Sequence, residues 1–191
     1  MIKAKYLTKI TDVSKVFIDK VVKDGDIVVD ATMGNGYDTI YLAQIVGDSG
    51  KVYSFDIQEQ AILSTQKKVS KMNLDTRVEL ILDGHQNIDK YVNYEISCAL
   101  FNLGYLPRAN HEIITKGETT LQAIKHCLKL LKPNGVISIA IYIGHEGGIE
   151  EKNCVYNFIE SLDQGKYNVL ESKFVNQINN PPQLILIEKK G

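Results

Sequence analysis

The chain has 191 residues, 44% of them hydrophobic and 24% charged, with a formal net charge of −1. These values suit one soluble globular domain, residues 1–191, and exclude a global basic field that would advertise nucleic acid, although local patches can suffice for that. Cys98, Cys127 and Cys154 are odd in number and lack metal-ligand spacing, which predicts small buried hydrophobes in a reducing cytoplasm. Met1-Ile2-Lys3-Ala4-Lys5 leads into polar sequence, and no apolar run approaches the ~20 residues needed to cross a bilayer. Neither a secretory leader nor a membrane partner is expected.

Strand and helix patterns then alternate. Val13, Val16, Phe17 and Val21 fall on one helical face, and Gly25 supplies the stop. Ile27-Val28-Val29 reads as a short apolar strand. Ile40, Ala43 and Val46 continue a helix after a glycine turn, with Gly47 behind it. Val52 to Phe55 is a second strand, and Ala61, Ile62, Thr65, Val69 and Met72 mark the next helix. Val78 to Leu82 and Ile96 to Phe101 are a third and a fourth strand. Leu121, Ile124, Leu128 and Leu131 form an amphipathic helix ended by Pro133-Asn134-Gly135. Val136 to Tyr142 is a fifth strand, and Val155, Phe158, Ile159 and Leu162 line a last helix. Tyr167 to Val175 and Leu184 to Glu188 read as two strands joined by a turn containing Asn179-Asn180-Pro181-Pro182, with no helix between them. Alternation implies an α/β fold, a mostly parallel sheet with helices on both faces, and the ending adds an antiparallel C-terminal hairpin. A seven-stranded Rossmann-like sheet of this kind resembles the class I methyltransferase fold.

Ligands of an open parallel sheet sit beyond the carboxyl ends of its strands. The first strand ends in Asp30, turns through Gly34-Asn35-Gly36 and enters a helix; the second ends in Asp56. Glycines let the backbone approach a ligand, and a carboxylate at the second strand end can accept both ribose hydroxyl protons. Thr39 stands where a dinucleotide fingerprint has its third glycine. Asp30 would repel a pyrophosphate and attract a cationic amino-acid tail, so the expected cofactor is S-adenosylmethionine, leaving as S-adenosylhomocysteine, and not NAD. Candidate cofactor contacts are Asp30, Gly34, Asn35, Gly36, Asp38, Thr39, Asp56, Gln58, Asp83 and His85. An ordinary tight turn, a helix N-cap at Asp56 and a plain Asp83-Gly84 turn are the competing structural readings.

After the fourth strand comes Phe101-Asn102-Leu103-Gly104-Tyr105-Leu106-Pro107, similar to the Asn-Pro-Pro-Tyr-like loop of amino-group methyltransferases. A nitrogen attacking a sulfonium methyl needs a free lone pair and an in-line approach. The Asn102 carbonyl and a loop carbonyl can accept the amine protons and so aim that lone pair, while Tyr105 can stack on a flat acceptor. His145, in the glycine-rich loop after the fifth strand, suits removal of an amine proton. Asn102, Tyr105 and His145 are the candidate catalytic residues. Gly104, Pro107, Arg108, His111 and Tyr142 are the candidate substrate contacts. His85, His111, His126 and His145 are too scattered to argue a metal site.

Asp30-Ala-Thr-Met-Gly-Asn-Gly-Tyr-Asp-Thr, Phe55-Asp-Ile-Gln, Phe101-Asn-Leu-Gly-Tyr-Leu-Pro, Tyr142-x-Gly-His and Asn176-Gln-x-Asn-Asn-Pro-Pro together resemble the bacterial MnmM/YtqB-type methyltransferases, long labelled rRNA methylases. The resemblance runs over nearly the whole chain. It implies methylation, from S-adenosylmethionine, of the exocyclic amine of 5-aminomethyl-2-thiouridine at the tRNA wobble position, giving the 5-methylaminomethyl nucleoside. It also implies that Asn35, Asp38, Asp56, Gln58 and His85 contact the cofactor, with Asn102, Tyr105 and His145 on the acceptor side. The partner implied is the tRNA anticodon region, and a homodimer would help a domain this small to span an anticodon arm. One departure is the turn after Pro107, where Arg108-Ala109-Asn110-His111 replaces a Gly-Gly-Asp-Lys-like turn; Arg108 and His111 could meet RNA phosphate there. Other readings are the same chemistry on rRNA or a small-molecule amine, a nicotinamide-dependent oxidoreductase, and a non-catalytic cofactor-binding scaffold.

Overall fold

The computed structural model describes residues 4, 5, 7–104, 114–144, 146–178 and 180–191. In chain order the elements are α1 (Ile10–Val21), β1 (Ile27–Asp30), α2 (Tyr37–Ile45), β2 (Lys51–Asp56), α3 (Glu59–Lys71), β3 (Val78–Leu82), a 3₁₀ turn (His85–Asn87) running into α4 (Ile88–Tyr91), β4 (Ile96–Leu103), α5 (Gly117–Leu130), β5 (Leu131–Ile141), α6 (Gly148–Ile159), β6 (Tyr167–Ser172) and β7 (Gln183–Lys189). The strands form one seven-stranded sheet in the order β3-β2-β1-β4-β5-β7-β6. β1 to β5 are parallel neighbours, and β7 inserts antiparallel between β5 and β6. The antiparallel C-terminal hairpin expected from the absence of a connecting helix is therefore present, with its second strand inside the sheet and its first at the edge.

Period-two alternation along the central strands assigns each residue to a face. Ala99, Phe101 and Leu103 of β4 join Ile137, Ile139 and Ile141 of β5 in a core closed by Ala123, Ile124, Cys127, Val155 and Ile159 of α5 and α6. Cys98 and Leu100 face the opposite way, with Val28, Val52, Ile18 of α1, Leu42 and Ala43 of α2 and Val69 of α3. Withdrawing each large side chain from water contributes about 1.5–3 kcal/mol. The same alternation assigns Asn102 to the α1–α2 face, which decides its partners. Cys98 and Cys127 are fully buried, and burial pushes both thiols up.

Three sequence expectations shift. The buried stripe of α1 is Ile10, Ser14 and Ile18, whereas Val16 and Phe17 point outward. Ser14 occupies a core position because its hydroxyl pairs with Ser138 Oγ of β5 at 2.6 Å, so a polar residue carries part of the apolar stripe. The fifth strand starts at Leu131, not Val136. Pro133-Asn134-Gly135 lies in an irregularity where Ile96 faces Leu131 and Cys98 faces Val136, and Asn134 takes a φ of 62°. β6 stops at Ser172 because Phe174 turns down onto the cluster of Ile10, Val136, Ala140, Leu184 and Leu186.

Candidate functional site: the crevice over β1, β2 and β4

The loop leaving β1 is fastened from every side. Ala31 N donates to Leu100 O of β4 and Met33 N to Phe55 O of β2, both at 2.8 Å. Gly34 N donates to Asp56 Oδ2 at 2.9 Å, while α3 supplies Thr65 Oγ1 to Gly34 O and Lys68 Nζ to Asn35 O. Gly34 and Gly36 have φ values of 50° and 77°, and a Cβ on Gly36 would lie 2.5 Å from Thr65 Oγ1. Gly36→Ala therefore combines left-handed strain of ~1–2 kcal/mol with a collision, and is expected to lower the melting temperature by about 5 °C or more. A calorimetric melt checks this; an unchanged transition would contradict the fit described.

Asp30 lies beneath that loop and is fully buried. Thr39 Oγ1 donates to its Oδ2 at 2.6 Å, Thr32 N reaches its Oδ1 at 3.2 Å, and Ser54 Oγ donates to Thr39 Oγ1 at 3.1 Å. Thr39 is also fully buried. This corrects one expectation: Asp30 and Thr39 are internal supports of the turn, sealed from the crevice, and their influence on a ligand is electrostatic. Burial first, then the neighbouring Asp38 carboxylate, pushes the Asp30 carboxyl up to about 7. Between its ordinary value of 3.8 and about 7 the folded chain holds a proton that the unfolded chain has lost, so stability falls as pH rises through that window. Asp30→Asn should remove a total change on the order of 4 kcal/mol across that window. His85 acts with the opposite sign: burial lowers its pKa, so the folded state loses stability as pH drops below 6.5. Urea titrations of wild type and Asp30→Asn at matched pH values isolate the Asp30 contribution; parallel curves from pH 4 to 8 would contradict it.

Asp56, half-buried at the end of β2, accepts from Gly34 N and from Gln58 N at 3.0 Å. Burial raises its pKa against those backbone hydrogen bonds. Two donors leave an ionised carboxylate with lone pairs to spare, so Asp56 both anchors the loop and retains acceptors for a diol. Gln58 is the N-cap residue of α3, but no side-chain cap bond is made. Ile57 and Leu82, at the ends of β2 and β3, are 60% and 51% exposed. Apolar residues left uncovered at two adjacent strand ends suit the faces of a flat base.

Asp83 is engaged locally: Gly84 N, Asn87 Nδ2 and Tyr91 Oη all donate to its carboxylate, at 2.7, 2.9 and 2.9 Å. Burial opposes ionisation, but these hydrogen bonds together hold its pKa below the usual range. The Asp-Gly turn reading describes this residue. His85 is 8% exposed, and its Nδ1 lies 3.1 Å from Ala31 O. A carbonyl can only accept, so the proton sits on Nδ1 and Nε2 keeps its lone pair. The ring stands edge-on to Phe101.

Asn102 and Asp38 come together from positions 64 residues apart. Asn102 Nδ2 donates to Asp38 Oδ2 at 2.9 Å, and Asn102 N donates to Thr32 Oγ1 at 2.7 Å. Lys15 Nζ of α1 pairs with Asp38 Oδ1 at 3.3 Å. Tyr142 follows β5 on the same face, with its N bonded to Leu103 O at 3.2 Å. Burial, then the Asp38 carboxylate, raises the pKa of its phenol. Gly104 is tied to the far stem of its loop: its N donates to Thr115 Oγ1, and Thr115 N returns to Gly104 O, both at 2.9 Å. Buried Glu151 of α6 accepts from Thr115 Oγ1 at 2.6 Å and Thr120 Oγ1 at 2.7 Å, linking that stem to α5 and α6. Tyr105, Pro107, Arg108, His111 and His145 lie outside the described residues. Sequence reasoning missed Lys15, Thr32, Thr115 and Glu151. Thr32 sits inside the quoted Asp-Ala-Thr-Met-Gly string; nothing in the other three positions carries a sequence signal.

The carboxylates of Asp30, Asp38 and Asp56 lie close enough for the latter two to raise the pKa of the first. The two carboxylates open to the crevice, Asp38 and Asp56, suit a cationic ligand and disfavour a pyrophosphate. The sequence pattern of the family described as "Putative rRNA methylase" matches residues 52–188. The chain belongs to this family. It is a methyltransferase, a class that draws its methyl group from S-adenosylmethionine. The methyltransferase is 47% identical to the crystal structure of a protein described as "putative rRNA-methylase" from Clostridium thermocellum, covering 98% of this chain and 100% of that one with a TM-score of 0.93. A Streptococcus mutans protein described as "a putative methyltransferase", solved in complex with SAH, is 45% identical over 99% of both chains, with a TM-score of 0.87. The chloroplastic tRNA (mnm(5)s(2)U34)-methyltransferase of Arabidopsis thaliana is 35% identical over 193 residues, 96% of this chain and 70% of that protein. Among the described residues, no helix is long and apolar enough to cross a membrane.

Proposed function

We propose that the protein methylates the exocyclic amine of 5-aminomethyl-2-thiouridine at the tRNA wobble position, giving 5-methylaminomethyl-2-thiouridine. The observation carrying this reading is the amide of Asn102: its NH₂ is committed to Asp38, so its carbonyl oxygen is left to accept. The likeness to the Arabidopsis tRNA enzyme supports the choice of acceptor.

S-adenosylmethionine supplies an electrophilic methyl group. Asp56 would hold its ribose, Ile57 and Leu82 its base, Asp38 its cationic tail, and Gly34 and Gly36 the close backbone. The acceptor amine is mostly protonated at neutral pH and has no lone pair to offer in that form. Asn102 Oδ1 accepts one N–H of the neutral amine and so directs the lone pair away from itself, toward the methyl carbon. In this reading Tyr105 stacks on the thiouridine ring, His145 removes the ammonium proton, and Arg108 and His111 meet phosphates of the anticodon arm. A homodimer lengthens the surface offered to that arm, which scattering mass in solution tests.

The family's description favours a second reading, an rRNA base as acceptor by the same chemistry. Nucleoside mass spectrometry of tRNA and rRNA from cells with and without the gene separates the two. The aminomethyl wobble nucleoside should accumulate in the deletion; unchanged tRNA beside a lost rRNA methyl would overturn the tRNA reading.

A further inference from the structure

We infer that Lys15, on α1, is a positioning residue for methyl transfer: through Asp38 it fixes which end of the Asn102 amide is presented to the acceptor. The inference rests on the role given above to Asn102.

An asparagine amide has two ends of nearly the same shape and opposite hydrogen-bonding sense, so its orientation is decided by its partners. Here the deciding partner is Asp38, with Oδ2 at 2.9 Å from Asn102 Nδ2. The other oxygen, Oδ1, is held by Lys15 Nζ at 3.3 Å. Each oxygen of Asp38 thus has one partner, a cation on one and the amide on the other, which fixes the carboxylate in rotation as well as in place and leaves lone pairs for the cofactor's cationic tail. A hydrogen bond to an ionised acceptor is roughly twice as strong as a neutral one, so an ionised, oriented Asp38 keeps the NH₂ inward and the carbonyl outward.

Lys15 is placed for this task by more than one contact. Its ammonium also lies 4.6 Å from the centre of the Tyr41 ring, and Tyr41 Oη donates to Asp19 Oδ1 at 2.6 Å. Its side chain is 32% exposed and that of Asp38 is 17% exposed, so the pair is more sheltered than the surface ion pairs that contribute little. Among the described residues, Lys15 is the one cation at ion-pair distance from any of Asp30, Asp38 and Asp56. Without it Asp38 would keep no cationic partner among the described residues while still facing Asp56, and like charge favours its turning toward solvent and away from Asn102. The pair also joins α1 to the catalytic face, a role that the exposed Val16 and Phe17 on the other side of the helix do not share.

The test uses the full-length protein with Lys15→Met, which keeps the aliphatic stem, Lys15→Gln as a second uncharged variant, and Lys15→Arg. Turnover on undermodified tRNA is measured together with the calorimetric Kd for S-adenosylhomocysteine. The expected result is a kcat, measured at saturating cofactor, lowered about tenfold or more in the two uncharged variants, a larger change than that in Kd, with most of the rate restored by arginine. The side-chain amide proton resonance of Asn102 in ¹⁵N-labelled protein reads the same orientation without turnover. It should move toward the position of a free amide in the uncharged variants and stay in place with arginine. An unmoved resonance and an unchanged kcat overturn the inference, as does a loss of rate carried wholly by weaker cofactor binding. If wild type leaves tRNA unmethylated while the resonance responds as described, the tRNA reading fails and the positioning role of Lys15 stands.

Discussion

Asn102→Ala is expected to lower kcat for amine methylation by about 10²-fold while leaving the Kd for S-adenosylmethionine within about twofold. The separation follows from where the residue's contacts run. Its backbone N is bonded to Thr32 Oγ1 and its place in β4 is fixed by pairing with Ala140, and neither needs the side chain. Of the groups proposed to hold the cofactor, the amide is hydrogen-bonded to Asp38 alone, and Asp38 keeps its Lys15 partner, so the proposed cradle should survive truncation. What is removed is the acceptor proposed to aim the amine lone pair, an interaction that would be made only as substrate and methyl group align. Asp38 also loses its 2.9 Å donor but keeps Lys15, so the vacated space does not strand a charge. Single-turnover kinetics alongside calorimetry check both halves. Unchanged turnover would remove Asn102 from the mechanism, and a matching loss of cofactor affinity would reassign it to binding.

Asp56→Ala should have the reverse signature. Hydrogen bonds to a charged group contribute ~1.5–3 kcal/mol each, so losing even one from a ribose hydroxyl raises the Kd for S-adenosylmethionine by roughly 10- to 10²-fold. Two further donors, Gly34 N and Gln58 N, lose their acceptor in the same change, loosening the turn that approaches the ligand and the start of α3. Asp56→Asn distinguishes these effects, because its carbonyl can still serve one backbone donor while a second acceptor oxygen is gone. Calorimetric titration with S-adenosylhomocysteine gives the answer; an unaltered Kd in Asp56→Ala would refute the ribose assignment.

How much of this was legible beforehand follows from the range of the interactions. The strand ends at Asp30 and Asp56 and the glycine turn between them are encoded within about thirty residues, and the alternation that implies a parallel sheet is a local signal repeated. The final hairpin was legible for the same reason, since two strand patterns without an intervening helix leave only an antiparallel return. The outward face of α1 was misjudged because burial there depends on Ser138, 124 residues away, which makes Ser14 a core residue. Asp30 looked like a ligand contact because sequence gives its position at a strand end but not its depth. Thr39 and Thr32 close over it, and only the folded arrangement reveals that. Asp83 shows a related ambiguity: an Asp-Gly pair after a strand reads equally as turn or ligand site, and its bonds to Asn87 and Tyr91 are visible only in the fold. Asn102 was visible through the wording of its loop, yet Lys15 and Asp38, which set its orientation, belong to two other helices. Glu151 had no signal at all, being one acid in a charged helical stretch whose burial depends on Thr115 and Thr120.

The proposed function stands on one step, the passage of a methyl group from the sulfonium donor to the aminomethyl nitrogen of the wobble uridine. Purified protein incubated with undermodified tRNA and S-adenosylmethionine carrying a deuterated methyl group tests it most directly, with nucleosides analysed by mass spectrometry. The expected product is labelled 5-methylaminomethyl-2-thiouridine at the wobble position, at the expense of the aminomethyl nucleoside and dependent on Asn102. Label found only on another nucleoside, or none on tRNA while rRNA is labelled, would contradict it.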